Sequence, residues 1–263
     1  MIIVDTHVHA SPYWFEPIEV LLFQMNSNGV EKATLVQYIG QTNNTYLIEC
    51  SRRFPGRFSP VVMVDTERGD APEVLKRWVK EGAEGVRLTP MTRSPGRDPL
   101  AIWRTCGELN IPVTCTGSKK EFSSDEFRNL IRTLANVRII IEHLGMVGRD
   151  ESAPYAIYSK ILALADFPNT YIKVPGLGEI CERPYPFRQP FPFDPVPPFI
   201  QMAYKAFGPS RMMWGSNYPP SSHLEGYRNT LRYLEQHLTT FCDEEAKQWI
   251  LSKTALSLFK FQE

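Results

Sequence analysis

Ile2-Ile3-Val4 leads straight into Asp5-Thr6-His7-Val8-His9, a short β-branched run that ends on polar side chains. Bulky apolar residues in succession, without an alternating polar one, suit a strand covered on both faces of a parallel sheet. Similar runs recur at residues 33–36, 60–64, 85–88, 112–115, 138–141, 170–174 and 211–214. Between them lie stretches with apolar residues at three- and four-residue spacing, such as Val74, Trp78 and Val79, or Phe127, Leu130, Ile131 and Leu134. That period marks helices with one buried face. Gly82 suits the left-handed exit of the first, and Ser123 or Ser124 can cap the second, with Glu126 completing a capping box with Ser123. Eight strand-helix units predict an α/β fold closed as a (β/α)8 TIM-type barrel rather than an open doubly wound sheet. The 263 residues match the usual barrel length, and no break in composition divides them, so 1–263 reads as a single domain.

Bulk composition narrows the function classes. Lysine plus arginine equals aspartate plus glutamate at 29 each, which gives no net field to attract nucleic acid or a membrane surface. Small neutral or anionic metabolites remain as partners, and a homo-oligomer stays open. The five cysteines, Cys50, Cys106, Cys115, Cys181 and Cys242, are widely spaced without a C-x-x-C pair. They read as reduced thiols of a cytoplasmic protein. The start lacks the pattern of a signal peptide, and no run is long enough to span a bilayer.

One segment breaks the rhythm. Residues 176–198 carry Pro184, Pro186, Pro190, Pro192, Pro195, Pro197 and Pro198, interleaved with Tyr185, Phe187, Phe191 and Phe193. So many prolines preclude a helix. Two readings stay open: a stiff surface loop, or a lid after the seventh strand whose aromatics and Arg183 or Arg188 close over a ligand.

Two of the five histidines form the H-x-H pair His7 and His9 at the end of the first strand. Alternate strand residues point the same way, so two imidazoles on an inner barrel face can bind one metal ion or polarise one substrate oxygen. His143 follows the sixth strand in Ile141-Glu142-His143-Leu144-Gly145. In barrels the C-terminal strand ends build the active site, which brings all three to one mouth. His223 and His237, in a loop and a surface-patterned helix, read as structural.

These segments, with Met213-Trp214-Gly215-Ser216-Asn217-Tyr218-Pro219, resemble the hallmark sequences of the amidohydrolase superfamily over the whole chain. The closer similarity is to the amidohydrolase-related branch that includes sugar lactonases and pyrone dicarboxylate lactonase. Gly85-Val86-Arg87-Leu88 and Ile172-Lys173-Val174 fall where those enzymes have similar strands. The resemblance implies a barrel, hydrolysis of a lactone or related carboxyl derivative, and water activation at the strand ends, with Tyr218 beside the substrate.

Two departures from that branch bear on mechanism. Where the eighth strand of the family usually ends in Gly-Ser-Asp, position 217 is asparagine, and an amide cannot serve as a general base. Three explanations follow: an altered, inactivated chain, another base such as His143, or a barrel that binds a ligand without turnover. Strand five offers Cys115 and Thr116 but no histidine, so His7, His9 and His143 are the candidate ligands for one divalent ion, zinc first, with its occupancy left open.

For gripping a carboxylate substrate the candidates are Arg87, Lys173, Gln37 and Asn44, with Gln41 and Asn43 nearby. A guanidinium at a barrel mouth binds carboxylate bidentately, and an unpaired lysine against the helical layer would be costly, so Lys173 is expected to face inward. Tyr13, Trp14 and Phe15 can form an apolar wall. The expected chemistry is hydrolysis of a small carboxylate-bearing lactone or related cyclic ester by activated water, with His7, His9, His143 and Asn217 as the catalytic set. An acid restored at position 217 would supply the base. The alternatives are metal-dependent non-oxidative decarboxylation of an aromatic or unsaturated acid, and ligand binding without turnover.

Overall fold

The computed structural model describes residues 1–183 and 192–262. Of the expected lid residues, Pro184, Tyr185, Pro186, Phe187, Arg188, Pro190 and Phe191 lie outside the described residues. Eight parallel strands pair strictly in chain order: β1 (Val4–Val8), β2 (Lys32–Val36), β3 (Phe58–Val62), β4 (Gly85–Leu88), β5 (Val113–Cys115), β6 (Ile139–Ile141), β7 (Thr170–Val174) and β8 (Met212–Trp214). Helices fill the connections, as the repeated unit demands. The expected barrel is present, with β3 two residues earlier than the run at 60–64 and a further difference at β1. β1 runs past the apolar residues and includes His7, so the histidine pair straddles the strand end. Its register against β2 shifts between Asp5 and Val8.

The ring closes between β8 and β1 through a few specific bonds. Beyond β8, Val8 bridges Tyr218 in parallel, the His9 amide donates to the Tyr218 carbonyl at 2.8 Å, and the Asn217 amide donates to the His7 carbonyl at 2.8 Å. Asp5 adds a side-chain tie, accepting from the amides of Ser216 at 2.8 Å and His7 at 3.1 Å.

Alternation along the strands sorts side chains into two layers. Met212 and Trp214 of β8, and Ile172 and Val174 of β7, join the large core beneath the helices. Met213 packs instead with Val4, Val36, Val61, Ile140 and the tail residues Leu258, Phe259 and Phe261. This second cluster fills the lower barrel, and the tail plugs it. Glu84 holds the plug, accepting from the amides of Lys260, Phe261 and Gln262 at 2.8, 3.0 and 3.1 Å.

Helix caps follow the sequence with one shift. Gly82 ends the helix Ala71–Glu81 in the left-handed conformation expected of it. Ser124, rather than Ser123, caps Asp125–Thr133, accepting from the Phe127 amide at 3.1 Å. The capping box forms one turn earlier, between Ser118 and Glu121, because a short helix Lys119–Phe122 precedes and Ser123 closes it. Likewise residues 176–198 are not wholly irregular: Leu177–Ile180 makes one helical turn ahead of the first proline.

Candidate active site

His7 of β1 is buried inside the upper barrel, with His9 and His143 against it. Ring centroids lie 5.0 Å apart for His7 and His9 and 4.6 Å for His7 and His143. The three imidazoles expected at one mouth are therefore neighbours. His143 reaches it through a turn in which His143, Leu144, Gly145 and Met146 all take positive φ, at 46°, 53°, 70° and 63°. The chain thus reverses sharply as it leaves β6.

Beneath these rings sits a charge cluster. Arg87 of β4 forms a bidentate pair with Glu142, at 3.0 and 2.7 Å, and its Nη1 donates to the Gln37 carbonyl at 3.1 Å. Thr116 receives a longer contact from Arg87 at 3.5 Å. Lys173 of β7 faces inward, with Nζ at 3.1 Å from His7 Nδ1, and has no carboxylate within 4.0 Å among the described residues. Glu142 Oε1 also lies 3.8 Å from His7 Nδ1.

Burial and neighbouring charges set the protonation states. Burial works to raise the Glu142 carboxyl, but Arg87 and Lys173 outweigh it and bring it down to about 2. Burial lowers the Lys173 ammonium to about 7, opposed by Glu142. Burial, and then the Lys173 charge, holds His7 well below its ordinary value, while burial and Arg87 bring His9 down to about 3. Both rings are accordingly neutral at physiological pH.

A second carboxylate approaches from the other side. Glu179, in the turn after β7, has Oε2 at 2.9 Å from His143 Nδ1, bent from the line of an ideal bond, and its Oε1 accepts from Asn217 Nδ2 at 2.9 Å. Burial would raise this carboxyl, yet His143 and Asn217 together hold it below its ordinary value.

The remaining sequence candidates are placed as follows. His9 Nδ1 pairs with the Val36 carbonyl at 2.7 Å, leaving Nε2 as its open nitrogen. Gln37 and Asn44 are engaged by the fold. Gln37 Nε2 donates to Asn43, and Asn44 Nδ2 donates to the carbonyls of Thr42 and Met63 at 3.0 and 2.9 Å. Their side chains shape the loop after β2. The Tyr218 hydroxyl bonds Glu16. Phe15 stacks on His9 at 5.5 Å with Tyr38 edge-on to both, and together they wall a cleft with Tyr13 and Trp14, the latter two largely exposed. His223 lies in a short 3-10 turn, and His237 lies in the helix Tyr227–Leu238.

A metal ion fits part of this set. Donor atoms of His7, Glu142 and His143 lie within 4.8 Å of one another, and His7 Nε2 is buried without a partner. Two imidazoles and a carboxylate make a familiar set for a divalent ion. The sequence points to His9 where the donor cluster has Glu142. The signal is present, a glutamate directly after three buried isoleucines, but its partner Arg87 lies 55 residues away.

The sequence profile of the amidohydrolase family matches residues 4–261. The chain belongs to that family. This amidohydrolase is a hydrolase by descent, and two of its relatives are named for lactones, while barrels named as decarboxylases also superpose on it. The 4-sulfomuconolactone hydrolase of Rhizobium radiobacter is 27% identical over 251 residues, covering 85% of this chain and 78% of the relative. The L-fucono-1,5-lactonase of Burkholderia ambifaria is 25% identical over 248 residues, covering 89% and 81%. A Pseudomonas putida structure provisionally named 2-pyrone-4,6-dicarboxylic acid hydrolase superposes with a TM-score of 0.76 at 22% identity, over 100% of this chain and 98% of that one. That likeness speaks for the barrel. No helix among the described residues is long and apolar enough to cross a membrane.

Proposed function

We propose that this amidohydrolase opens a small carboxylate-bearing lactone or related cyclic ester by attack of activated water. The observation that carries the reading is the convergence of His7, His9 and His143 with Lys173 over the Arg87–Glu142 pair at one barrel mouth. Its relatives named for lactones support the ester class.

Lys173, the ammonium on the inner face without a carboxylate partner among the described residues, is the group to meet an anionic or carbonyl oxygen of the substrate. An anion bound there raises the lysine above about 7 and keeps it charged. His9 Nε2 opens toward the aromatic cleft and shares the developing charge on the carbonyl oxygen. His143 orients the water. Arg87, committed to Glu142, holds that carboxylate in place instead of gripping the substrate. Phe15 and Tyr38 exclude bulk water from one side. A divalent ion held by His7, Glu142 and His143, with zinc the best match to that donor set, would lower the pKa of a bound water and polarise the carbonyl. The five cysteines are all unpaired, which suits a cytoplasmic enzyme.

Proton release during incubation with sulfomuconolactone, 2-pyrone-4,6-dicarboxylate and L-fucono-1,5-lactone tests the reading, with metal content measured on the same sample. Turnover of a carboxylated lactone is expected. Carbon dioxide from an aromatic acid, with every lactone untouched, would move the assignment to decarboxylation.

A further inference from the structure

We infer that Glu179 and Asn217 are positioning residues for His143, and that position 217 is an amide because the carboxylate of this corner of the mouth sits on Glu179. The inference rests on the hydrolytic reading above for its consequence in turnover, and on geometry for its substance.

Asn217 Nδ2 donates to one Glu179 oxygen at 2.9 Å, and the other oxygen lies 2.9 Å from His143 Nδ1 in a close ion-pair contact bent from the line of an ideal hydrogen bond. An ionised carboxylate only accepts hydrogen bonds, so both neighbours must present hydrogens to it. The amide always does. His143 does so only with a hydrogen on Nδ1, and in the neutral ring that tautomer leaves Nε2 bare, as orienting water or binding an ion requires. Glu179 therefore selects the working face of His143, and Asn217 fixes Glu179.

The placement of both groups is determined by the backbone. Asn217 has φ 55°, in the left-handed region that asparagine enters at little cost. Glu179 sits on the turn Leu177–Ile180, which is tied down from behind by Glu225, whose Oε1 accepts from the Gly178 amide at 2.8 Å. A Cβ built on Gly176 would lie 2.1 Å from that oxygen, so the turn and Glu225 are in close contact. Aspartate at 217 would set oxygen against oxygen across the 2.9 Å now spanned by an N–H bond. Restoring an acid there, as family resemblance suggests, would break the arrangement.

Four chains test this: the present protein, Asn217→Asp, Glu179→Gln, and the double variant. In the double variant the polarity of the 179–217 bond reverses, since a glutamine amide can donate to the carboxylate introduced at position 217 while its oxygen still accepts from His143. Nitrogen-15 correlation spectra report the His143 tautomer without any substrate, and turnover is followed on 2-pyrone-4,6-dicarboxylate. The expected pattern is an Nδ1–H tautomer in the present, Glu179→Gln and double chains, where an amide or carboxylate oxygen at 179 accepts from His143, and its loss in Asn217→Asp, where two carboxylates face each other. With it, kcat falls about ten- to a hundred-fold in Asn217→Asp with KM little changed, and recovers in the double. A gain on Asn217→Asp alone, or one tautomer throughout, overturns the inference. The expected tautomer pattern with no lactone opened by any chain upholds the clamp and sinks the hydrolytic reading instead.

Discussion

Arg87 illustrates what a single residue does here that its type alone does not reveal. A guanidinium at a strand end is expected to grip substrate, yet two nitrogens of its fork lie on Glu142 at 3.0 and 2.7 Å, with both side chains buried. Removing one partner of a buried pair leaves the other charge uncompensated, which costs about 3–5 kcal/mol. Arg87→Gln should therefore lower the free energy of unfolding by about that amount in urea titrations, and a change below about 1 kcal/mol would show the pair to be dispensable. The pH dependence has a defined sign. Glu142 is depressed from 4.5 to about 2, so its contribution is full above pH 4.5 and lost as pH falls through about 2. Acid unfolding of the Arg87→Gln chain should show a shallower slope across that window.

At the level of elements, the turn after β6 decides where His143 points. His143 and Leu144 occupy the left-handed region at a cost that buried contacts must offset, since Leu144 is fully enclosed. Gly145 follows at φ 70°, and a Cβ added there would come within 2.6 Å of Ile161 Cγ2. Gly145→Ala is thus both conformationally strained and sterically blocked. We expect a drop in Tm together with a loss of turnover, because a shift of the turn away from Ile161 would carry His143 with it. Unchanged kcat in a destabilised chain would separate the turn from the site.

On the scale of the whole molecule, the barrel depends on a seam with few ladder bonds. β8 and β1 are joined by the bridge at Val8 and Tyr218 and by the carboxylate of Asp5, whose acceptance from Ser216 spans 211 residues of chain. Burial raises Asp5 to about 6, so its ionised form is disfavoured in the fold and the associated stability declines as pH rises from 3.8 toward 6. Asp5→Ala removes the acceptor itself. Amide hydrogen exchange at Ser216 and His7 should accelerate in that variant well beyond exchange at the β5–β6 ladder. Uniform acceleration around the ring would mean that Asp5 supports global stability and not the seam.

Sequence alone determined the eight-fold repeat, because strands buried on both faces leave uninterrupted apolar runs, and it determined that three histidines stand near strand ends. The inward face of Lys173 was legible on a different ground, since strand alternation allows either face and an unpaired lysine against the helical layer would be costly. Tertiary structure decided the partners. Glu142 belongs to Arg87 and Glu179 to His143 and Asn217 because barrel closure brings together residues between 36 and 55 positions apart, and no local period encodes which cation a buried carboxylate will meet. The roles expected of Gln37 and Asn44 went the same way, since an amide side chain reads alike whether it faces a ligand or the backbone of its own loop. Pattern reveals which face is buried; only the closed ring assigns each buried polar atom its neighbour.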